Sequence, residues 1–270
     1  MLCLFPHKDN ANGMSLLPFY DFRGIRQYKN NNTPIIDNLL YRGDGVILAG
    51  QSEAGKSLLC LQLACSLASG KELFAGLVPE SKHNVLYIPT EGSLGTVKAR
   101  LEKFGTMYGI EETSPHLRVM SLLGKQFNTE PGYLGLTETL LEKGYKPDVI
   151  MIDSLYLSCK GGLNSDEIAA DYCRHLNELI EKYNCAIILV HHYAKAFQSS
   201  LEGKIERDAK DVKGSTAWGD WATSILRLSN RRGKKVLTIG KDRNDSLYEG
   251  EINLELVSNE EELRFKEVQD

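Results

Sequence analysis

The sequence predicts an α/β fold in which a mostly parallel central sheet is flanked by helices and carries an antiparallel C-terminal extension. Three observations support this. Short apolar runs at residues 46–49, 85–88, 149–152 and 186–190 alternate with stretches of helical period, the pattern of parallel strands joined by crossover helices. Two of the runs, 149–152 and 186–190, contain no polar residue, as strands covered on both faces require. Beyond residue 221 the pattern changes to β-like runs joined by short turns.

In chain order, residues 1–34 are expected to form an irregular arm, because 9–13 and 30–34 are polar breaks. The sequence fits both an arm that packs on a neighbour and a free end. Residues 35–270 form the main domain. The strand at 46–49 is followed by a helix over 58–69 that stops at Gly70. After the strand at 85–88 comes a helix over 94–107, with Val97, Leu101 and Phe104 on one face. Residues 117–122 read as a strand and 133–143 as a helix ended by Gly144. Between the strands at 149–152 and 186–190, the spacing of Ile168, Tyr172, Leu176, Leu179 and Tyr183 predicts a helix. Runs at 224–228, 235–239, 250–257 and 262–268 make up the antiparallel extension.

Bulk properties bound the function. A chain of 270 residues can bury one sizeable core with a short extension. The net charge of −4 argues against a generally basic nucleic-acid coat but leaves local loops free to bind one. No apolar run approaches the ~18 residues of a membrane span, and the N-terminus lacks the pattern of a secretory signal. The six cysteines are scattered and form no C-x-x-C pair. They are expected to be reduced, buried thiols of a cytoplasmic protein rather than a zinc or disulfide framework.

The chemistry centres on Gly50-Gln51-Ser52-Glu53-Ala54-Gly55-Lys56-Ser57. This is G-x-x-x-x-G-K-S between a strand and a helix, the context a phosphate-binding loop requires. The glycines let successive backbone N–H groups point inward at phosphate oxygens. Lys56 supplies a point charge for the β- and γ-phosphates, and the Ser57 hydroxyl can bind Mg²⁺. The N-terminus of the following helix adds its partial positive charge. ATP and Mg²⁺ are therefore the expected ligands. Asp153 ends a buried strand and can hold Mg²⁺ through water. Glu91 follows another strand at the same edge, placed to orient or deprotonate an attacking water. His191 and His192 end a third strand; one of them can hydrogen-bond the γ-phosphate while the other is structural.

These motifs, with Lys213-Gly214-Ser215-Thr216-Ala217 and Lys241-Asp242-Arg243-Asn244, resemble the RecA-like superfamily of oligomeric ATPases. Within it they are most similar to RepA-type hexameric replicative helicase ATPases, over residues 35–257. The resemblance implies that Glu91 is the catalytic base, His192 the γ-phosphate sensor and Arg100 the residue stacked on adenine. It also implies a homo-oligomer, a hexameric ring, in which a neighbouring subunit completes each site. Two stretches compete for that trans role. Lys213 stands where the RepA-like pattern has Arg, which keeps the charge but loses the planar fork. Arg243, with Lys241 beside it, matches the Lys-x-Arg of DnaB-like helicases and is favoured as the finger.

Single-stranded DNA is the implied partner, contacted by loops at 157–164 and 195–213. The second loop carries Lys204, Arg207, Lys210 and Lys213, diluted by Glu202, Glu206, Asp208 and Asp211. The leading expectation is a ring-forming ATPase motor of the helicase type in plasmid, phage or cellular DNA replication. A recombination-mediator or regulatory ATPase that unwinds nothing is the alternative. A small-molecule kinase sharing the phosphate loop is a third class, opposed by the His pair and the trans cations.

Overall fold

Strand β3 (Gly45–Gly50), which leads into the phosphate loop, is buried along its whole length, and the sheet is built outward from it. The computed structural model describes residues 21–27, 33–193, 212–231, 233–242, 250–259 and 262–268. The chain divides into two units, residues 1–31 and 32–270. In the first, the described residues form a short helix α1 (Phe22–Gln27) where the sequence predicts irregular backbone. The Asp21 carboxylate accepts the Gly24 N–H at 2.6 Å and so caps its first turn.

The second unit opens with a small antiparallel pair, β1 (Pro34–Ile36) and β2 (Leu40–Tyr41). The main strands then alternate with helices: β3, α2 (Lys56–Ser69), β4 (Val85–Pro89), α3 (Leu94–Tyr108), β5 (Leu117–Val119) and α4 (Glu130–Glu142). After these come β6 (Val149–Asp153), α5 (Leu155–Ser158), α6 (Asp166–Tyr183), β7 (Ala186–His192) and α7 (Thr216–Trp221). The chain closes with β8 (Ser224–Arg231), β9 (Lys234–Asp242), β10 (Glu251–Ser258) and β11 (Leu263–Glu267). Among the described residues these strands form one nine-stranded sheet of order β11-β10-β9-β8-β3-β7-β6-β4-β5. Strands β5, β4, β6, β7, β3 and β8 run parallel, and β9 to β11 extend the sheet antiparallel.

The apolar strands are buried on both faces, and the alternation of side chains sorts them into two cores. Val46, Leu48, Val85, Tyr87, Val149, Met151, Ile188 and Val190 pack with α2 and α3. Ile47, Leu86, Ile88, Ile150, Ile152, Ile187 and Leu189 pack with α4 and α6. Helix α2 is buried almost all round and stops at Gly70, whose φ of 71° only glycine adopts freely.

The structure departs from expectation in small elements. Strand β5 is three residues long rather than six, because only Leu117–Val119 pairs with β4. Helices α5 and α7, of four and six residues, are too short to leave a periodic signal. The described cysteines, Cys60, Cys65, Cys159, Cys173 and Cys185, are free and buried. No helix of the described residues is long and apolar enough to cross a membrane.

Gly45 shows how tightly β3 is packed: a methyl there would stand 2.6 Å from the Trp221 ring. Trp221 is itself held by its indole N–H, which donates to Asn177 at 2.9 Å. Gly45→Ala is therefore expected to lower stability by about 1–3 kcal/mol, read as a fall in the urea unfolding midpoint.

Candidate functional site

Four parallel strands end at the same level, which brings distant parts of the chain together. Gly50 pairs with His192, Asp153 with Val190, and Pro89 with Asp153. The phosphate loop, Glu91, Asp153 and His192 therefore meet at the carboxyl edge of the sheet, where parallel sheets bind ligands.

The loop needs its glycines. A Cβ on Gly50 would come within 2.5 Å of the Leu228 carbonyl. Gly55 caps α2 with a φ of 101°. Between them Gln51 is half-buried, Ser52 and Glu53 are exposed, and Ala54 is buried. The Ala54 N–H donates to the Gln51 carbonyl at 3.3 Å and closes the turn. Lys56 is buried and folds back over the loop, donating to the carbonyls of Gly50 at 3.1 Å and Gln51 at 2.7 Å. Burial lowers its pKa, and the charges of Asp153 and Glu91 oppose the shift.

Asp153 is 3% exposed and accepts hydrogen bonds from the Ser57 hydroxyl at 3.1 Å and the Tyr87 hydroxyl at 2.6 Å. Burial raises its pKa against the pull of those two bonds. Glu91 is exposed and accepts a hydrogen bond from the Ser154 hydroxyl. The Thr90 hydroxyl donates to the Ser154 carbonyl at 2.9 Å and accepts the Ser154 N–H at 2.7 Å, which locks the ends of β4 and β6 together.

The two histidines differ in role, as the sequence suggests. His192 is half-buried with its Nδ1 3.3 Å from Lys56 Nζ. Burial and then the Lys56 charge lower its pKa, so Nδ1 accepts from the ammonium and Nε2 carries the proton. His191 is fully buried. Its Nε2 lies 2.7 Å from the Lys213 carbonyl and must therefore donate. Burial pushes its pKa down to about 4, and its Nδ1 has no partner among the described residues.

The remaining candidates lie further out. The Lys213 ammonium sits over the ring of its own chain's Tyr156, 5.3 Å from the centroid. Arg100, on α3, lines a groove of about 590 Å³ with Ser93, Thr96, Lys103, Ser258 and Leu263. Lys241 pairs with Ile225, which pairs with Ile47, so its backbone lies three residues, about 10 Å, down the strand from Gly50. Arg243 lies outside the described residues, as do Lys204, Arg207 and Lys210.

Three participants escape sequence reasoning. Tyr87 reads as one more apolar strand residue, and its hydroxyl's reach to Asp153 depends on the β4–β6 register. Ser154 and Tyr156 follow Asp153 directly, but only the fold shows that one holds Glu91 and that the other is 53% exposed beneath a lysine.

The donor set suits magnesium. Among the described residues no cluster of three or more His, Cys, Asp or Glu could hold a metal unaided. A hydroxyl and a buried carboxylate 3.1 Å apart beside a phosphate loop match an ion that keeps several waters and takes further oxygens from its nucleotide. Ser57 and Asp153 would hold it, and its charge would neutralise the phosphates and relieve the buried carboxylate.

A family profile described as AAA domain matches residues 15–198. Among solved structures, a helicase ATPase domain superposes with a TM-score of 0.64 at 14% identity, covering 92% of this chain and 96% of that one. A KaiC-like protein from the hyperthermophilic archaeon Pyrococcus horikoshii OT3 superposes with a TM-score of 0.58 at 14% identity, covering 88% of this chain and 97% of that one. At these identities the likeness is one of fold, and the fold is RecA-like. A comparison with curated proteins gave no match.

His191 makes the site's stability sensitive to acid. Its folded pKa of about 4 lies below its unfolded value near 6.5, so only the unfolded chain takes up the proton as pH falls through that window. Stability is thus complete above about pH 6.5 and is lost towards pH 4, by about 2 kcal/mol at pH 5. Urea midpoints measured across this range should fall more steeply for the wild type than for His191→Gln.

Proposed function

The chain belongs to the AAA domain family, with a RecA-like ATPase fold, and from that premise we propose that it hydrolyses ATP as a ring-forming motor on single-stranded DNA. A DNA helicase in plasmid, phage or cellular replication is the specific role, and a hexamer the assembly. The observation that carries this reading is the meeting of Lys56, Ser57, Asp153, Glu91 and His192 at one sheet edge. That set supplies phosphate binding, ion holding, water activation and γ-phosphate sensing in one place.

In this reading the loop N–H groups and Lys56 bind the phosphates, with Lys56 giving up the Gly50 and Gln51 carbonyls to do so. Glu91 leaves Ser154 to orient and deprotonate the attacking water. The neutral His192 donates from Nε2 to the γ-phosphate, and Arg100 stacks on the adenine. Arg243, with Lys241, acts on the neighbouring subunit. The strand register supports a trans rather than a cis role, since Lys241 starts about 10 Å from its own loop. A cation arriving from a neighbour stabilises charge that develops only in the transition state, and ties turnover to assembly.

Residues 157–164 and 195–213 are the DNA-facing loops. Tyr156, exposed and partnered by Lys213, adds a stacking face for a base beside a phosphate-binding cation.

Sizing with and without a non-hydrolysable ATP analogue and a short oligonucleotide, followed by ATPase and strand-displacement assays, tests the whole reading. A protein that stays monomeric throughout and still turns over ATP briskly would overturn the ring. DNA-stimulated turnover without displacement would leave a mediator or regulatory ATPase. Lys56→Ala should abolish nucleotide binding or turnover. Arg243→Ala should lower turnover by about 10³-fold, and mixing it with Lys56→Ala should restore activity by pairing an intact site with an intact finger; no recovery would remove the trans role. Tyr156→Ala should weaken oligonucleotide binding by about 1–3 kcal/mol with DNA-free ATPase intact, measured by fluorescence anisotropy.

A further inference from the structure

The C-terminal strand β11 lies at the sheet edge, eight positions from β5 in strand order, yet it reaches the phosphate loop. The ring of Phe265, 1% exposed, points end-on at Gly55. A methyl built on Gly55 would stand 2.8 Å from Phe265 Cζ, with Cε1 and Cε2 at 3.7 and 3.6 Å. Near-equal distances to the two ε carbons mean that the para position aims at the loop. The ring therefore fills the space that the missing side chain of Gly55 leaves.

The ring cannot drift, because the strand carrying it is tied to the helix that follows the loop. Gln62 on α2 is 1% exposed. Its side-chain N–H donates to the Phe265 carbonyl at 2.9 Å, and its side-chain carbonyl accepts the Phe265 N–H at 2.6 Å. One buried amide thus satisfies both backbone groups of a strand residue, a two-point clamp with fixed register. Lys103 on α3 adds a third tie, donating to the Asn259 carbonyl in the β10–β11 turn at 2.6 Å.

We infer that Phe265 and Gln62 are positioning residues for the phosphate loop: Gln62 clamps β11 so that the tip of the Phe265 ring holds Gly55 in the left-handed backbone that phosphate binding needs. The inference rests on the proposed reading of that loop as the ATP site. It makes the C-terminal strand part of the nucleotide machinery although neither residue touches the reacting atoms. Gly55 precedes Lys56 directly, so a displaced Gly55 misaims both the ammonium and the first amides of α2.

Phe265→Tyr is the sharpest probe, because it keeps the buried ring and adds an oxygen at the one carbon that has no room for it. The readouts are affinity for a fluorescent ATP analogue, kcat, and amide hydrogen exchange over residues 52–57 in the nucleotide-free full-length protein. Expected are affinity weakened by roughly tenfold, kcat at saturating ATP changed far less, and loop exchange faster by roughly tenfold. Gln62→Glu, which loses the donor to the Phe265 carbonyl, should do the same from a position that touches neither loop nor nucleotide. Its effect should not add to that of Phe265→Tyr.

Phe265→Leu separates positioning from packing. If the ring only fills the core, Phe265→Leu costs the most stability while every variant that remains folded keeps wild-type affinity and loop exchange. That result would overturn the inference. Faster loop exchange in Phe265→Tyr or Gln62→Glu, in a protein whose wild type binds no nucleotide, would keep the positioning and sink the ATPase reading instead.

Discussion

A buried ammonium governs this structure. Lys56 is 6% exposed, and an unpaired charge at that depth costs several kcal/mol. The chain meets the cost by bending the loop until two of its own carbonyls face the ammonium, with Asp153 and Glu91 in electrostatic range. Those carbonyls belong to Gly50 and Gln51, so the turn out of β3 is shaped by the same cation that phosphates would claim. Exchanging two neutral acceptors for phosphate oxygens strengthens every contact Lys56 makes. The phosphate-free loop is thus a holding arrangement whose partners are weaker than the intended ones. Burial raises the pKa of Asp153 for the complementary reason: a carboxylate set aside for a cation is held by two hydroxyls meanwhile.

How much of this the sequence reveals depends on whether the signal is local. The parallel strands, the loop between β3 and α2, and the edge at which Asp153 and the His pair must lie all follow from runs of fewer than twenty residues. The antiparallel extension is legible for the same reason. Tyr87 is not, because its hydroxyl meets Asp153 only through a register between strands more than sixty positions apart. Phe265 is not, because nothing near it mentions Gly55, about 200 positions away. Gln62 reads as a polar residue tolerated on a helix until both of its amide atoms are found on one strand residue. The shortening of β5 and the turns of α5 and α7 fall below the length at which periodicity carries information.

Strand polarity constrains how a ring could work. β8 runs parallel to β3 and β9 returns antiparallel, so the far end of β9 lies at the opposite edge of the sheet from the phosphates. Cations that follow it face away from their own site and, in the proposed ring, toward the next. Lys213 is placed oppositely, at the phosphate edge and over its own chain's Tyr156. The two candidates for the trans role are thus separated by topology, and the swap of Arg for Lys at 213 removes a planar fork from the one that already has an aromatic partner.

That partner suggests how hydrolysis could be felt outside the site. His192 faces the phosphates, and its backbone carbonyl accepts the Lys213 N–H at 3.1 Å, while His191 donates to the Lys213 carbonyl at 2.7 Å. Lys213 is therefore gripped on both backbone groups by the strand that ends in the proposed sensor. Gly214 follows with a φ of 112°, its Cα pressed so closely on the Leu163 carbonyl that a methyl would come within 2.5 Å. Ser215 then donates its N–H to that same carbonyl at 2.7 Å. A movement of His192 on loss of the γ-phosphate has few soft joints in which to dissipate before it reaches Lys213, Tyr156 and the loop holding Leu163. In a packed structure such a connection passes displacement on rather than absorbing it. The neutrality of His191 is part of the connection: a proton on its orphaned Nδ1 would place a charge where no described group can receive it, and the grip on Lys213 would be the first contact to yield.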